Sequence, residues 1–292
     1  MNSGGRRAPR VGAALCGLLL AAAGAAAAES GARPSTTEIN KQVSNPVTIA
    51  WSLKFENEIL WLDSDGDGER AQYQFKFQPT LPVLLTRQWK LITRPELVLV
   101  DDKPYANSQG AARRTTGVGD TTLDLALAPV WEHWLLGLGP TFIFPSANLD
   151  QTGQGKWQAG PPAVAGYQAP RWLAYVIAQQ WWSFAGAADR KAVSQLHLQY
   201  VANWFFPHGW SVGTSPTIKF DWRAEAGQQV TFPLGLQVSK VLRLGDHLPV
   251  KFLVQGLYMP IHPDVYGEHF GLQIEITPVL PSLLPQPLFG AF

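Results

Sequence analysis

From Val47 onward the chain alternates. In "VTIAWSLKFENEILW" Val47, Ile49, Trp51, Leu53, Phe55, Ile59 and Trp61 hold odd positions, while Thr48, Ser52, Lys54, Glu56 and Glu58 hold even ones. Successive side chains of an extended strand point to opposite faces, so a period of two predicts a strand with one apolar and one charged face. The rule recurs in "AQYQFKF", where Tyr73, Phe75 and Phe77 oppose Gln72, Gln74 and Lys76. In "TTLDLAL" Leu123, Leu125 and Leu127 oppose Thr122 and Asp124, and "TIKFDW", "VTFPLGLQVS" and "FGLQIEIT" repeat the pattern further along.

About twelve such strands are expected, near residues 47–61, 70–83, 89–100, 119–130, 134–144, 157–168, 172–184, 193–206, 210–222, 229–240, 249–259 and 268–279. Most reach the ~9–11 residues that a tilted strand needs to cross a bilayer. The connections at 84–88, 131–133, 169–171, 207–209 and 241–248 are mostly short. Those at 62–69, 101–118, 145–156, 185–192, 223–228 and 260–267 are mostly longer and polar. An even strand number, with short turns on one side and long loops on the other, predicts an all-β fold, an antiparallel transmembrane β-barrel over residues 47–280. A soluble β-sandwich would use shorter strands and would not sort its turns by side.

Tryptophan fits the same picture. Trp89, Trp131, Trp134, Trp172, Trp204 and Trp210 fall near the expected short-turn ends, and Trp61, Trp157, Trp181, Trp182 and Trp222 near the long-loop ends. Two such rows predict aromatic girdles at headgroup depth. Proline opposes it: Pro79, Pro95, Pro129, Pro140, Pro161, Pro162, Pro216 and Pro233 fall inside expected strands, where a missing N–H breaks the ladder unless a bulge absorbs it.

Composition narrows the class. Charged residues make up 15% of the chain and the formal net charge is +1, so neither a nucleic-acid footprint nor an acidic tail is visible. Arg6, Arg7 and Arg10 precede the apolar run "VGAALCGLLLAAAGAAAA", and Ala26, Ala27 and Ala28 precede Glu29. That arrangement predicts a cleaved export signal over residues 1–28, which would take the only cysteine, Cys16, with it. No second run of ~18 apolar residues follows, so a membrane would have to be crossed by strands. The expected location is the outer membrane of a Gram-negative cell. Residues 29–46 read as a loose polar segment and residues 281–292 as a C-terminal tail.

The charged face would line the barrel interior. Lys54, Glu56, Glu58, Lys76, Arg94, Glu96, Asp124, His197, Lys219, Asp221, Lys251 and Glu275 are the expected lumen residues. Mixed signs argue against strong ion selectivity, which needs rings of one sign. A hydrated passage and a braced, non-conducting interior both suit this set. In the second case the barrel would be structural or would bind partners through its loops at 101–118 and 260–267, with a lipid-modifying barrel enzyme as the remaining alternative.

Other chemistry is sparse. "DSDGDGE" places Asp63, Asp65 and Asp67 at calcium-loop spacing, but the twelfth position, where a bidentate Glu belongs, is Gln74. Asp-Gly pairs between period-two strands predict a hairpin turn, with weak cation binding as the alternative. His262, Asp264, Glu268 and His269 in "IHPDVYGEH" match no recognised metal spacing. There is no nucleotide-binding loop, G-x-S-x-G or H-E-x-x-H motif, and alternation sets Ser194 on the face opposite His197. Neither catalysis nor a cofactor is expected.

Five blocks, "GVGDTTLDLALAP", "GLGPTFIFPSAN", "GQGKWQAGPPAV", "VIAQQWWSFAG" with "DRKAVSQLHLQYVANWFF", and "TFPLGLQVSKVL", occur in this order. Together they resemble a family of Gram-negative outer-membrane proteins labelled transporters or phenol-degradation meta-pathway proteins, some of which carry the misplaced name neuromedin U. The resemblance spans roughly residues 45–280 and implies a β-barrel that passes small, hydrophobic or aromatic compounds, with no catalytic set to carry over. The expected partners are outer-membrane lipid and lipopolysaccharide, the barrel-assembly machinery and a small-molecule solute. One departure is the tail "PSLLPQPLFGAF": Phe292 lies off the last strand, which leaves open the segment that would signal assembly.

Overall fold

The computed structural model of the chain describes residues 33–63, 70–106, 109, 111–245, 247–264 and 266–290. The expected export signal, Asp65, Asp67 and Phe292 lie outside them. Alternation becomes a wall of antiparallel strands. In chain order these are β1 (Trp51–Leu62), β2 (Arg70–Leu84), β3 (Trp89–Ala106), β4 (Ala112–Gly117), β5 (Thr121–Pro129), β6 (Trp134–Leu138), β7 (Thr141–Phe144) and β8 (Lys156–Gly160). They continue as β9 (Pro162–Gln168), β10 (Trp172–Gly186), β11 (Ser194–Phe205), β12 (Trp210–Thr214), β13 (Thr217–Asp221), β14 (Val230–Leu244), β15 (Leu248–Ile261) and β16 (Glu268–Leu280).

β1 pairs with both β2 and β16, so first and last strands meet and the wall closes on itself. Three pairs of strands, β6 with β7, β8 with β9 and β12 with β13, each form one stave of the wall, and β4 pairs with β3 alone. The result is a closed antiparallel barrel of 12 staves.

Proline explains the divided staves. Pro140, Pro161 and Pro216 sit at the three interruptions, so the unbroken strands expected at 134–144, 157–168 and 210–222 are corrected to two pieces each. Pro supplies no donor, but its carbonyl still accepts. Leu125 N donates to Pro140 O (3.0 Å), Gln180 N to Pro161 O (3.2 Å) and Tyr200 N to Pro216 O (3.2 Å). At Pro233 the β14–β15 register slips between Phe232 and Leu234, the bulge that relieves the missing N–H. Pro79 and Pro95 remain inside paired strands opposite Leu53 and Leu123.

Two segments differ from their sequence expectation. Residues 101–118 are largely a hairpin of β3 and β4, with Asp101 opposite Gly117 and Tyr105 opposite Arg113. A ribbon that projects past the barrel has no apolar face to satisfy, so it carries no alternation. The polar segment 29–46 contains a helix, α1 (Thr36–Ser44), whose N-cap Ser35 accepts from Glu38 N. "STTE" is the Ser-x-x-Glu start signal of a helix.

α1 packs against the 207–209 turn and strands β11, β12, β14 and β15, at the short-turn end of the barrel. Asn40 is fully buried and donates to Gly209 O (2.9 Å) and Ser239 Oγ (3.1 Å). Gly209 has φ of 80°, and a Cβ there would stand 2.7 Å from Val241 O and 2.9 Å from Thr36 Cβ. Only glycine gives both that backbone and that approach.

The barrel interior is layered. Val47, Ala128, Leu135, Val164, Leu173, Ile177 and Phe205 form one apolar cluster, and Leu60, Leu62, Leu257 and Met259 form a second. Nine of the ten girdle tryptophans other than Trp181 point outward and are exposed, while Trp61 is half-buried. Trp181 is corrected: it is buried, because its neighbour Trp182 takes the outward face and alternation turns Trp181 inward.

Candidate solute-binding lumen

Inward positions of neighbouring strands meet because register aligns them. Glu56 of β1 stands opposite Lys76 of β2 and Glu275 of β16; Glu58 stands opposite Gln74 and Gln273. His197 of β11 lies opposite Lys219 of β13, and Arg94 of β3 opposite Asp124 of β5. These faces enclose a cavity of about 350 Å³. Lys54, Glu56, Glu58, Lys76, Arg94, Glu96, Asp124, His197, Lys219 and Glu275 all line it.

Two expected lumen residues fall elsewhere. Lys251 lines a second cavity of about 120 Å³ beside the end of α1, where its Nζ donates to Ser44 Oγ (2.8 Å). Asp221 is corrected: it is exposed at the long-loop end of β13, and its carboxylate accepts from Arg223 N. The strand ends at Asp221, so its alternation no longer faces an enclosed interior.

The carboxylates and lysines form a network. Lys54 Nζ donates to Glu56 Oε2 (2.8 Å) and lies 4.0 Å from Glu275 Oε1. Lys76 donates to Glu56 (3.3 Å) and to Glu58. Glu58 also accepts from Gln273 Nε2 (2.7 Å), and Lys219 meets Glu268 at 2.6 Å. Buried charges keep their charge when each finds such partners. Arg94 turns away from the network and donates to Pro46 O (2.9 Å), which fastens the segment after α1 to the wall.

Part of the lining is apolar, and alternation alone did not indicate it. Leu60, Ile143, Ile177, Trp181, Leu257 and Met259 face the same space as the charges. Leu60 was legible as an apolar residue on the charged face of β1; Trp181 was hidden by its pairing with Trp182 in the sequence. The Trp181 indole donates to Thr141 Oγ1 (3.0 Å) and meets the His197 ring edge-on at 5.0 Å between centroids.

The acidic loop is a rim feature in its described part. Asp63 N donates to Gly267 O (2.9 Å) and Asp63 O accepts from Tyr266 N (2.8 Å), which ties the end of β1 to the β15–β16 loop. Its carboxylate lies 3.5 Å from His262 Nε2 and 3.6 Å from His269 Nδ1. Among the described residues no group of three His, Cys, Asp or Glu side chains is arranged to hold a metal ion.

No family model and no curated protein matches the chain. Among solved structures, the COG4313 outer membrane channel from Pseudomonas putida F1 is similar, with a TM-score of 0.59 and 13% identity over 79% of this chain and 95% of that one. A Pseudomonas aeruginosa FadL homologue aligns over 81% of this chain and 92% of its own, with 7% identity and a TM-score of 0.40. A porin gives a TM-score of 0.34 with 9% identity over 79% of this chain and all of its own. At such identities the likeness is one of fold: the chain is a closed antiparallel β-barrel like that of the Pseudomonas putida channel.

Proposed function

We propose that this chain is an outer-membrane channel or transporter for small compounds with hydrophobic or aromatic parts. The observation that carries this reading is the closed barrel around a cavity of about 350 Å³ lined by both charged and apolar side chains. Small-molecule pockets span ~300–1,000 Å³ and combine an apolar lining with a few placed polar groups. The outward tryptophans at both ends would rest at the two headgroup layers, with the short turns on the periplasmic side. The expected lumen residues named above would form the route, and α1 would cover it at the short-turn end. The folds of the Pseudomonas putida channel and this chain agree, which supports the same broad role.

A second reading, a non-conducting structural barrel, draws on the buried ion-pair network and the two apolar clusters in the interior. Conductance of the refolded chain in a planar bilayer, with and without residues 29–46, separates the two. Discrete steps from the shortened chain, with fewer or none from the longer one, are expected. Silence from both, together with no uptake of aromatic solutes into liposomes, would favour the structural barrel.

A further inference from the structure

Charge in the larger cavity does not balance. Among the described residues six carboxylates line it, Glu56, Glu58, Glu96, Asp124, Glu268 and Glu275, against four cations, Lys54, Lys76, Arg94 and Lys219. The cations are committed unevenly. Lys54 and Lys76 donate to Glu56 and Glu58, Lys219 to Glu268, and Arg94 to a backbone carbonyl. Among the described residues no Lys or Arg nitrogen lies within ion-pair distance of Glu96 or Asp124.

Those two carboxylates are held by neutral donors. Glu96 Oε2 accepts from Gln78 Nε2 (2.8 Å). Asp124 accepts from Gln179 Nε2 at 2.9 Å on each oxygen and from Thr141 Oγ1 at 2.5 Å. Thr141 in turn accepts from the Trp181 indole, so the carboxylate and the aromatic wall are joined through one hydroxyl. Ile143 and Ile177 face the same cavity beside them. Ionisable groups at membrane depth face the interior and mark substrate or ion pathways, and a cation against carboxylate and aromatic face gains from both.

From this arrangement we infer that the lumen binds organic ammonium compounds, with the ammonium at Glu96 and Asp124 and the apolar body against Trp181 and the two isoleucines. The inference rests on the proposed solute-carrying role and names the class of solute. Carboxylate-bearing solutes would meet two carboxylates that lack a direct ion-pair partner, and neutral ones would forgo a charge-assisted hydrogen bond.

The test is calorimetric titration of the refolded chain in detergent with three probes of one shape, 2-phenylethylammonium, 2-phenylethanol and 3-phenylpropanoate. A charge-assisted hydrogen bond is worth ~1.5–3 kcal/mol, so the ammonium should bind at least about tenfold more tightly than the alcohol, and the acid should be weakest. Glu96→Gln with Asp124→Asn, checked for folding by heat-modifiable gel mobility, should bring ammonium and alcohol within about twofold. Equal binding of all three probes by the unaltered chain would overturn the inference and leave the transport reading standing. No binding of any probe would also overturn the inference, while the transport reading would stand or fall on the bilayer and uptake measurements. An ammonium preference that survives the double substitution would overturn the assigned site. Should that variant fail to fold, the order of the three probes on the unaltered chain still decides.

Discussion

Lys76 joins two carboxylates, donating to Glu56 at 3.3 Å and to Glu58, and all three side chains are largely buried. Removing one partner of such a group leaves charge without compensation, which costs ~3–5 kcal/mol. Lys76→Met should therefore lower resistance to denaturant by about that amount, read from heat-modifiable mobility along a guanidinium series. Adding Glu56→Gln and Glu58→Gln to Lys76→Met should restore most of it. If the single and triple variants unfold together, the network contributes little. This pairing was legible in part: Lys76 and Glu56 lie on charged faces of adjacent strands. The pairing of Lys219 with Glu268, from β13 and β16, was not, because sequence does not state which staves face each other across a lumen.

α1 is the element that alternation could not reveal. Its pattern is polar nearly throughout because the surface that receives it is polar: Asn40 and Ser44 are its buried residues, together with Ile39. A helix that packs on an apolar core announces itself by an apolar stripe, whereas one that packs into a charged lumen does not. Only the capping pair Ser35 and Glu38 marked its start. Ser35→Ala should cost ~1 kcal/mol of helix stability and raise the rate at which protease nicks residues 34–46 in the folded barrel. Gly209→Ala should act more strongly on the same readout, since a left-handed backbone costs a non-glycine residue ~1–2 kcal/mol and the added Cβ also meets Val241 O and Thr36. Equal protection in both variants would show that α1 is held elsewhere.

The barrel as a whole sorts tryptophan by environment. Trp89, Trp134 and Trp210 are exposed at the short-turn end, Trp157, Trp182 and Trp222 at the long-loop end, and Trp181 faces the interior. In single-tryptophan variants reconstituted into brominated lipid, the outward residues should be quenched according to depth, with bromines near the headgroups most effective. Trp181 should be spared at every depth. Quenching of Trp181 comparable with that of Trp182 would mean that the wall at β10 is reversed.

Fold class, strand number and the sorting of turns were determined by the sequence itself, because period-two alternation and loop length are local properties that need no partner to be read. The same is true of the charged inward face, from Lys54 and Glu56 to Lys219 and Glu275. Tertiary structure decided the rest. Pro140, Pro161 and Pro216 divide staves only because neighbouring strands keep donating to their carbonyls, and that depends on register. α1 packs where it does only because a closed wall offers it an interior. The committed cations and the two carboxylates left to neutral donors, Glu96 and Asp124, follow from which residues closure brings within a few ångströms. Charge balance inside a barrel is a property of distances across the lumen, and no single strand contains it.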